Sequence, residues 1–144
     1  MAQLLQITFD SADPQKLALF WAEVLGYQLQ PPPHGYASWE EWHQKEGHAR
    51  NVYDFAAIVD PKGLDSRIFF QRVPEPKTAK NRVHLDVNVS RRLTEQPEDV
   101  KQNFVASEAE RIKELGAREI YRYNENGDYW ITLADPEGNE FCIQ

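Results

Sequence analysis

The side chains with most chemistry to offer sit on short alternating runs. Between Val83 and Ser90 apolar and polar residues alternate, which puts His84, Asp86 and Asn88 on one side of an extended segment. Near the C-terminus Glu140 and Cys142 share a side in the same way. Cys142 beside His84 would give a thiolate–imidazolium nucleophile, whereas a small buried inert thiol is the plainer use of a single cysteine. Glu140 and Asp86 are the carboxylates placed to act as a general base. His34, His43 and His48 fall in one stretch with Trp39 and Trp42. His43 and His48 are too far apart to share a helix face as an i, i+4 ligand pair would. Trp39, Trp42 and His43 do share one face of a short helix, either as a lid that sets indoles against a planar ligand or as a plug packed on the core. Arg67, Arg72, Lys77, Lys80 and Arg82, set against Glu75 alone, make a cationic stretch in an acidic chain. It either draws an anionic metabolite toward a site or is a solvated linker. Gly-x-Ser-x-Gly, phosphate-loop and dinucleotide fingerprints are missing from the sequence.

These residues need elements to hold them. Gln3, Leu5, Ile7 and Phe9 alternate with Leu4, Gln6 and Thr8, which predicts a half-buried strand over 3–9. Asp13-Pro14 opens a helix, Leu17, Phe20, Trp21, Val24 and Leu25 form its stripe, and Gly26 closes it. The second half repeats the plan: a strand over 83–90, a helix whose capping box is Ser107 to Glu110, and an end at Leu115-Gly116. Asp60-Pro61-Lys62-Gly63 and Asp135-Pro136-Glu137-Gly138 are matching turns, each followed by a short strand, 67–73 and 140–144. Two segments break the symmetry. Residues 31–50 carry a short helix near 38–46, and the polar run 91–104 reads as a surface excursion. Strand parity then sends Gln6, Thr8, His84, Asp86, Trp130 and Cys142 to the side away from the helices, where they line a cleft or meet solvent.

Sixteen Lys and Arg against twenty-three Asp and Glu give a net charge of −7 on 144 residues. That balance excludes the basic stripe a nucleic-acid binder needs. A hydrophobic share of 41% excludes a disordered chain, and the length suits one domain. No apolar run is long enough for a membrane span, the N-terminal residues lack a signal-peptide pattern, and one cysteine makes no internal disulfide. A cytoplasmic protein is the expectation.

Phe20-Trp21, Leu25-Gly26-Tyr27 and Asp135-Pro136-Glu137-Gly138-Asn139, set in this duplicated plan, resemble the vicinal oxygen chelate superfamily of glyoxalases, bleomycin-resistance proteins and dioxygenases. The runs Phe70 to Lys77 and Lys80 to Asp86 resemble its glyoxalase-like bacterial branch. The resemblance spans the chain and implies an α+β fold: one glyoxalase-like domain over 1–144, with two βαβββ modules (about 1–78 and 79–144) curling mixed sheets around a central cavity, helices outside. Metal-dependent members place ligands on the first and last strands of each module. The matching residues here are Gln6, His84, Cys142 and Gln71, with Cys142 where Glu is usual, so the implied site for a divalent metal is degenerate. The function implied is binding of a small aromatic or anionic metabolite by Gln6, Thr8, Trp39, Trp42, Arg82, His84, Asp86, Trp130 and Cys142. The alternative is a metal-dependent lyase or isomerase acting on a carbonyl compound, and relatives of this kind lead one to expect a homodimer.

Overall fold

The computed structural model describes residues 5–125 and 127–144. Backbone contacts divide the chain into two compact units, Met1–Pro76 and Lys77–Gln144. Each unit is a strand, a helix and three further strands, with the first strand paired parallel to the last. The fold is the expected α+β arrangement of two βαβββ modules.

In the first unit β1 (Ile7–Ser11), α1 (Pro14–Leu25), β2 (Gln28–Leu29), α2 (Trp39–Glu46), β3 (Phe55–Val59) and β4 (Ile68–Arg72) follow in order. The sheet order is β1-β4-β3-β2. Asp13 caps α1 by accepting the Lys16 N–H at 3.2 Å, and Gly26 ends it at φ 69°, a conformation that costs other residues strain. Leu17, Phe20, Trp21 and Val24 bury the helix stripe on the sheet. Phe9 stacks between Trp21 (5.2 Å) and Phe70 (5.3 Å), with Ile58 and Ile68 beside them in the core. Every second strand residue therefore points the other way: Thr8, Phe55, Ala57 and Phe69 occupy the face opposite α1.

The second unit runs β5 (Asp86–Val87), α3 (Glu98–Glu114), β6 (Arg118–Glu125), β7 (Asp128–Ala134) and β8 (Glu140–Ile143), in sheet order β5-β8-β7-β6. Val105, Ala109 and Ile112 of α3 and Ile131, Leu133, Phe141 and Ile143 of the sheet are buried. Both Asp-Pro-x-Gly segments form the expected turns: Gly63 and Gly138 N–H groups each reach the Asp carbonyl at 2.9 Å.

Four expectations change. Helix α3 begins at Glu98, so 98–104 is helix rather than excursion, and Ser107 lies mid-helix, where its hydroxyl donates to the Phe104 carbonyl. Glu98 and Asp99 favour that earlier start by facing the positive end of the helix dipole. The strand over 83–90 shrinks to Asp86–Val87, flanked by bonds from Cys142 N–H to Leu85 O and Gln144 N–H to Val87 O, and Val83 is 80% exposed. Leu5 is exposed as well, so the first strand starts at Ile7. The expected Gln3 and Leu4 portion lies outside the described residues. Among those described, no helix is long and apolar enough to cross a membrane.

Candidate functional site

The first unit holds a cavity of about 550 Å³, within the usual size of small-molecule sites. Its floor is the sheet face away from α1, where Phe55 and Phe69 stack at 5.9 Å beside Ala57. Its cover comes from the segment inserted between β2 and β3. Ser38 caps α2 by accepting the Glu41 N–H at 3.1 Å, and the Glu41 carboxylate accepts the N–H of Ala37, one residue before the cap, at 2.6 Å. The Lys45 ammonium first, and the Ala37 N–H second, hold Glu41's pKa below the usual carboxylate range.

This short helix brings Trp39 and Trp42 edge to face at 5.3 Å on the cavity wall. Trp39 donates its indole N–H to the Gln30 carbonyl at 2.9 Å. The His48 ring lies 4.2 Å from Trp42 and 5.1 Å from the His43 ring, so chain reversal after Gly47 joins two histidines that helical spacing alone separates. His34 lines no part of this cavity. No residue of α2 is fully buried, which sets it apart from α1.

Arg67 reaches across the floor. Its Nε–H donates to Gln30 Oε1 and its NH1 group to Gln6 Oε1, both at 2.6 Å, and the guanidinium lies 4.9 Å from the Phe69 ring centre. Burial pulls its pKa below the ordinary guanidinium value. Arg50 lies over Phe55 at 5.3 Å. Gln6 is thus committed to Arg67, and Gln71 donates to Asp10 at 2.8 Å. Register corrects the Gln71 assignment. Thr8 pairs with Phe69 as Asp86 pairs with Cys142, so the first-unit counterpart of Cys142 is Phe69. Phe69 and Gln71 share a face one strand repeat apart, and the two extra residues in the turn after Gly63 obscure which of them matches Cys142.

The cationic stretch also resolves into separate parts. Arg67 belongs to the cavity, Arg72 pairs with Asp54 at 2.8 Å, and Lys77 pairs with Glu140 at 3.2 Å. Only Lys80 and Arg82 of that stretch remain as exposed cations with no ion pair among the described residues.

In the second unit one sheet row reads Asp86, Cys142, Thr132 and Tyr121. His84 Nε2 lies 3.3 Å from Asp86 Oδ1, and donor atoms of His84, Asp86 and Cys142 all fall within 4.8 Å of one another. Cys142 Sγ is 3.4 Å from the Thr132 hydroxyl. Burial pushes the Cys142 thiol pKa up and the Asp86 charge adds to this, with the Thr132 hydroxyl offsetting part. A nucleophilic thiolate is therefore disfavoured. An imidazole, a carboxylate and a thiol fit a borderline divalent ion such as zinc better than a hard, oxygen-seeking one. Trp130 shares this sheet face but stacks on Tyr123 at 4.0 Å. Glu140 is engaged elsewhere: its carboxylate accepts the Asn81 N–H at 3.0 Å and the Lys77 ammonium. The Asn81 bond, with Lys77 assisting, holds its pKa below the usual range, so it is a poor proton acceptor.

Sequence reasoning placed Trp39 and Trp42 but missed Arg50, Tyr53, Phe55 and Phe69 as cavity residues. The apolar run Phe55-Ala56-Ala57-Ile58, which puts an aromatic ring on the face opposite Ile58, was the available signal.

The glyoxalase-like domain family model matches residues 6–144. No curated protein matches by sequence. Among solved structures, a variant of the fosfomycin resistance protein FosX from Listeria monocytogenes, complexed with Mn(II) and 1S,2S-dihydroxypropylphosphonic acid, superposes with a TM-score of 0.64 at 14% identity, covering 100% of this chain and 92% of its own. A glyoxalase/bleomycin resistance/dioxygenase family enzyme from Burkholderia phytofirmans gives 0.60 at 19% identity, covering 99% and 97%. The hypothetical protein SA1046 from S. aureus gives 0.60 at 15%, covering 99% and 96%. At these identities the likeness is one of fold.

Proposed function

Starting from a chain that belongs to the glyoxalase-like domain family, we propose that it binds a small aromatic molecule in the first-unit cavity, with a degenerate metal site in the second unit. One observation carries this reading: a cavity of about 550 Å³ whose walls include two indoles and two stacked phenylalanines. Aromatic walls offer a flat ligand both buried area and ring–ring contact, worth about 0.5–1.5 kcal/mol per pair beyond area alone. Trp39 acts as a lid residue, since its ring is half-buried and its N–H is already satisfied by Gln30. Extracting the purified protein and identifying what it carries by mass spectrometry tests the reading. A flat aromatic compound retained by the parent chain and lost in Trp39→Ala supports it. No retained compound, and no saturable binding of 2-naphthoate or 2-naphthamide, defeats it.

The His84–Asp86–Cys142 cluster favours a second reading, a glyoxalase-type lyase or isomerase. A divalent cation there would polarise a substrate carbonyl or enolate oxygen. His84, Asp86 and Cys142 would hold it, which takes Asp86 out of service as a base, and Glu140 is held by Asn81 and Lys77. Neither carboxylate named for proton transfer is then free to perform it, and this weighs toward binding. Both outer ligands are about half exposed, so metal retention is expected to be substoichiometric. One equivalent surviving dialysis, and lost in His84→Ala, would restore the enzyme reading. The sheets leave β1, β2, β5 and β6 as edges, which supports a homodimer as the proposed assembly.

A further inference from the structure

The charge arrangement of the first-unit cavity narrows the ligand class, granted that the cavity binds an aromatic molecule as proposed above. Two guanidiniums line it, each over one ring of the stacked Phe55–Phe69 pair. Partly buried arginines are ordinarily paired with carboxylates, because removing the charge from water is costly. Arg67 is not paired in that way. Its described hydrogen-bond partners are the neutral amide oxygens of Gln30 and Gln6, and no ion pair involves it among the described residues. Two amides fix the guanidinium plane and leave its full positive charge uncancelled. The one carboxylate among the lining residues is Glu40. Its pKa is lowered by its own backbone N–H and by Ser38 and Tyr53, so it stays ionised at the start of α2.

We infer that the cavity is a receptor for a planar aromatic carboxylate, with the ring against Trp39, Trp42 and the phenylalanine pair and the anionic group on Arg67. Arg67 is the specificity-determining residue, and Arg50 adds a second positive charge at the wall. The two glutamines orient the guanidinium without competing for it, since an amide oxygen cancels no charge. A carboxylate that reaches Arg67 supplies the partner that the partly desolvated cation lacks, and charge-assisted bonds of this kind are the strong ones.

The test compares 2-naphthoate with 2-naphthamide, which share shape and differ in charge, by isothermal titration calorimetry on the whole chain. The parent protein should bind the carboxylate roughly tenfold more tightly than the amide, the value of one added charge-assisted bond. Raising sodium chloride from about 50 to about 500 mM should weaken the carboxylate and leave the amide unchanged. In Arg67→Gln the two affinities should fall within about twofold of each other, while Arg67→Lys should keep part of the preference. Should Arg67→Gln unfold, Arg50→Gln at an exposed position and the salt series on the parent chain still decide the matter. Equal affinity for acid and amide in the parent chain overturns this inference and leaves the aromatic cavity standing. Binding of neither compound overturns both.

Discussion

The two units carry different chemistry on matching rows of matching sheets. The row through the first strand pair reads Thr8, Phe69 and Ala57 in the first unit and Asp86, Cys142 and Thr132 in the second. Both rows point away from the unit's long helix, so the backbone plan does not separate them. What separates them is the chain between the second and third strands. In the first unit it includes α2 and covers the face with indoles. In the second, β6 ends at Glu125 and β7 begins at its register partner Asp128, so no helix lies between them. A covered face can be apolar and still form a cavity, whereas a bare one keeps polar side chains. The duplicated fold supplies the platform, and the insertion decides which copy becomes an aromatic pocket and which keeps metal-capable donors.

The largest effect belongs to the side of each sheet on which the units agree. Phe70→Ala and Phe141→Ala each remove a buried ring packed under a helix, and each should cost about 3–5 kcal/mol in denaturant unfolding. Trp39→Ala should cost about 1 kcal/mol or less, because its indole borders a cavity rather than filling the core. A loss as large as that of Phe70→Ala would make α2 a plug and break the comparison.

Next in size is the response of the second unit to pH. The Cys142 thiol must lose its proton to hold a metal, and its pKa is raised, so zinc affinity should climb with pH by up to about tenfold per unit. Chelator competition at two pH values measures this, and Cys142→Ser should flatten it. A pH-independent affinity would mean that Cys142 is not a ligand.

A smaller effect sharpens the contrast from the first unit. Ser38→Ala removes the cap of α2 and should loosen it by about 1 kcal/mol. Affinity for 2-naphthoate should fall severalfold while zinc affinity stays the same. A change in zinc binding of the same size would show that the two sites are not independent.

Glu140→Gln should have the smallest effect. The lowered pKa of Glu140 means that its bonds to Asn81 and Lys77 stabilise the fold above the ordinary carboxylate pKa and fade as pH falls through the lowered one. Solvent screening reduces the contribution, so the variant should lie below the parent by about 0.5 kcal/mol or less at neutral pH and converge with it in acid. Thermal unfolding across that range reports it, and a gap that persists in acid would rule out the carboxylate as the cause.

Much of this plan is legible in the residues. Asp13-Pro14 and Gly26 bracket α1 because cap and terminator are local, and the repeated Asp-Pro-x-Gly turns fix the duplication for the same reason. The start of α3 is not legible. Its buried stripe is only Val105, Ala109 and Ile112, so polar residues dominate the pattern and Ser107 imitates a cap. For the candidate site, Trp39 and Trp42 stand out by type, and His84, Asp86 and Cys142 by alternation. Phe69 does not, because two extra residues in the turn after Gly63 shift its register by one full strand repeat against the second unit. Arg67 was legible as a charge but not as a cavity residue, since its partners Gln6 and Gln30 lie far from it in sequence.

The central claim is that the aromatic ligand belongs to the first unit's covered face and not to the second unit's donors. Titrating 2-naphthoate into the parent chain, Trp39→Ala and His84→Ala, each checked for folding, tests it most directly. The account predicts affinity about tenfold weaker in Trp39→Ala and unchanged in His84→Ala. Binding lost in His84→Ala and retained in Trp39→Ala would contradict it.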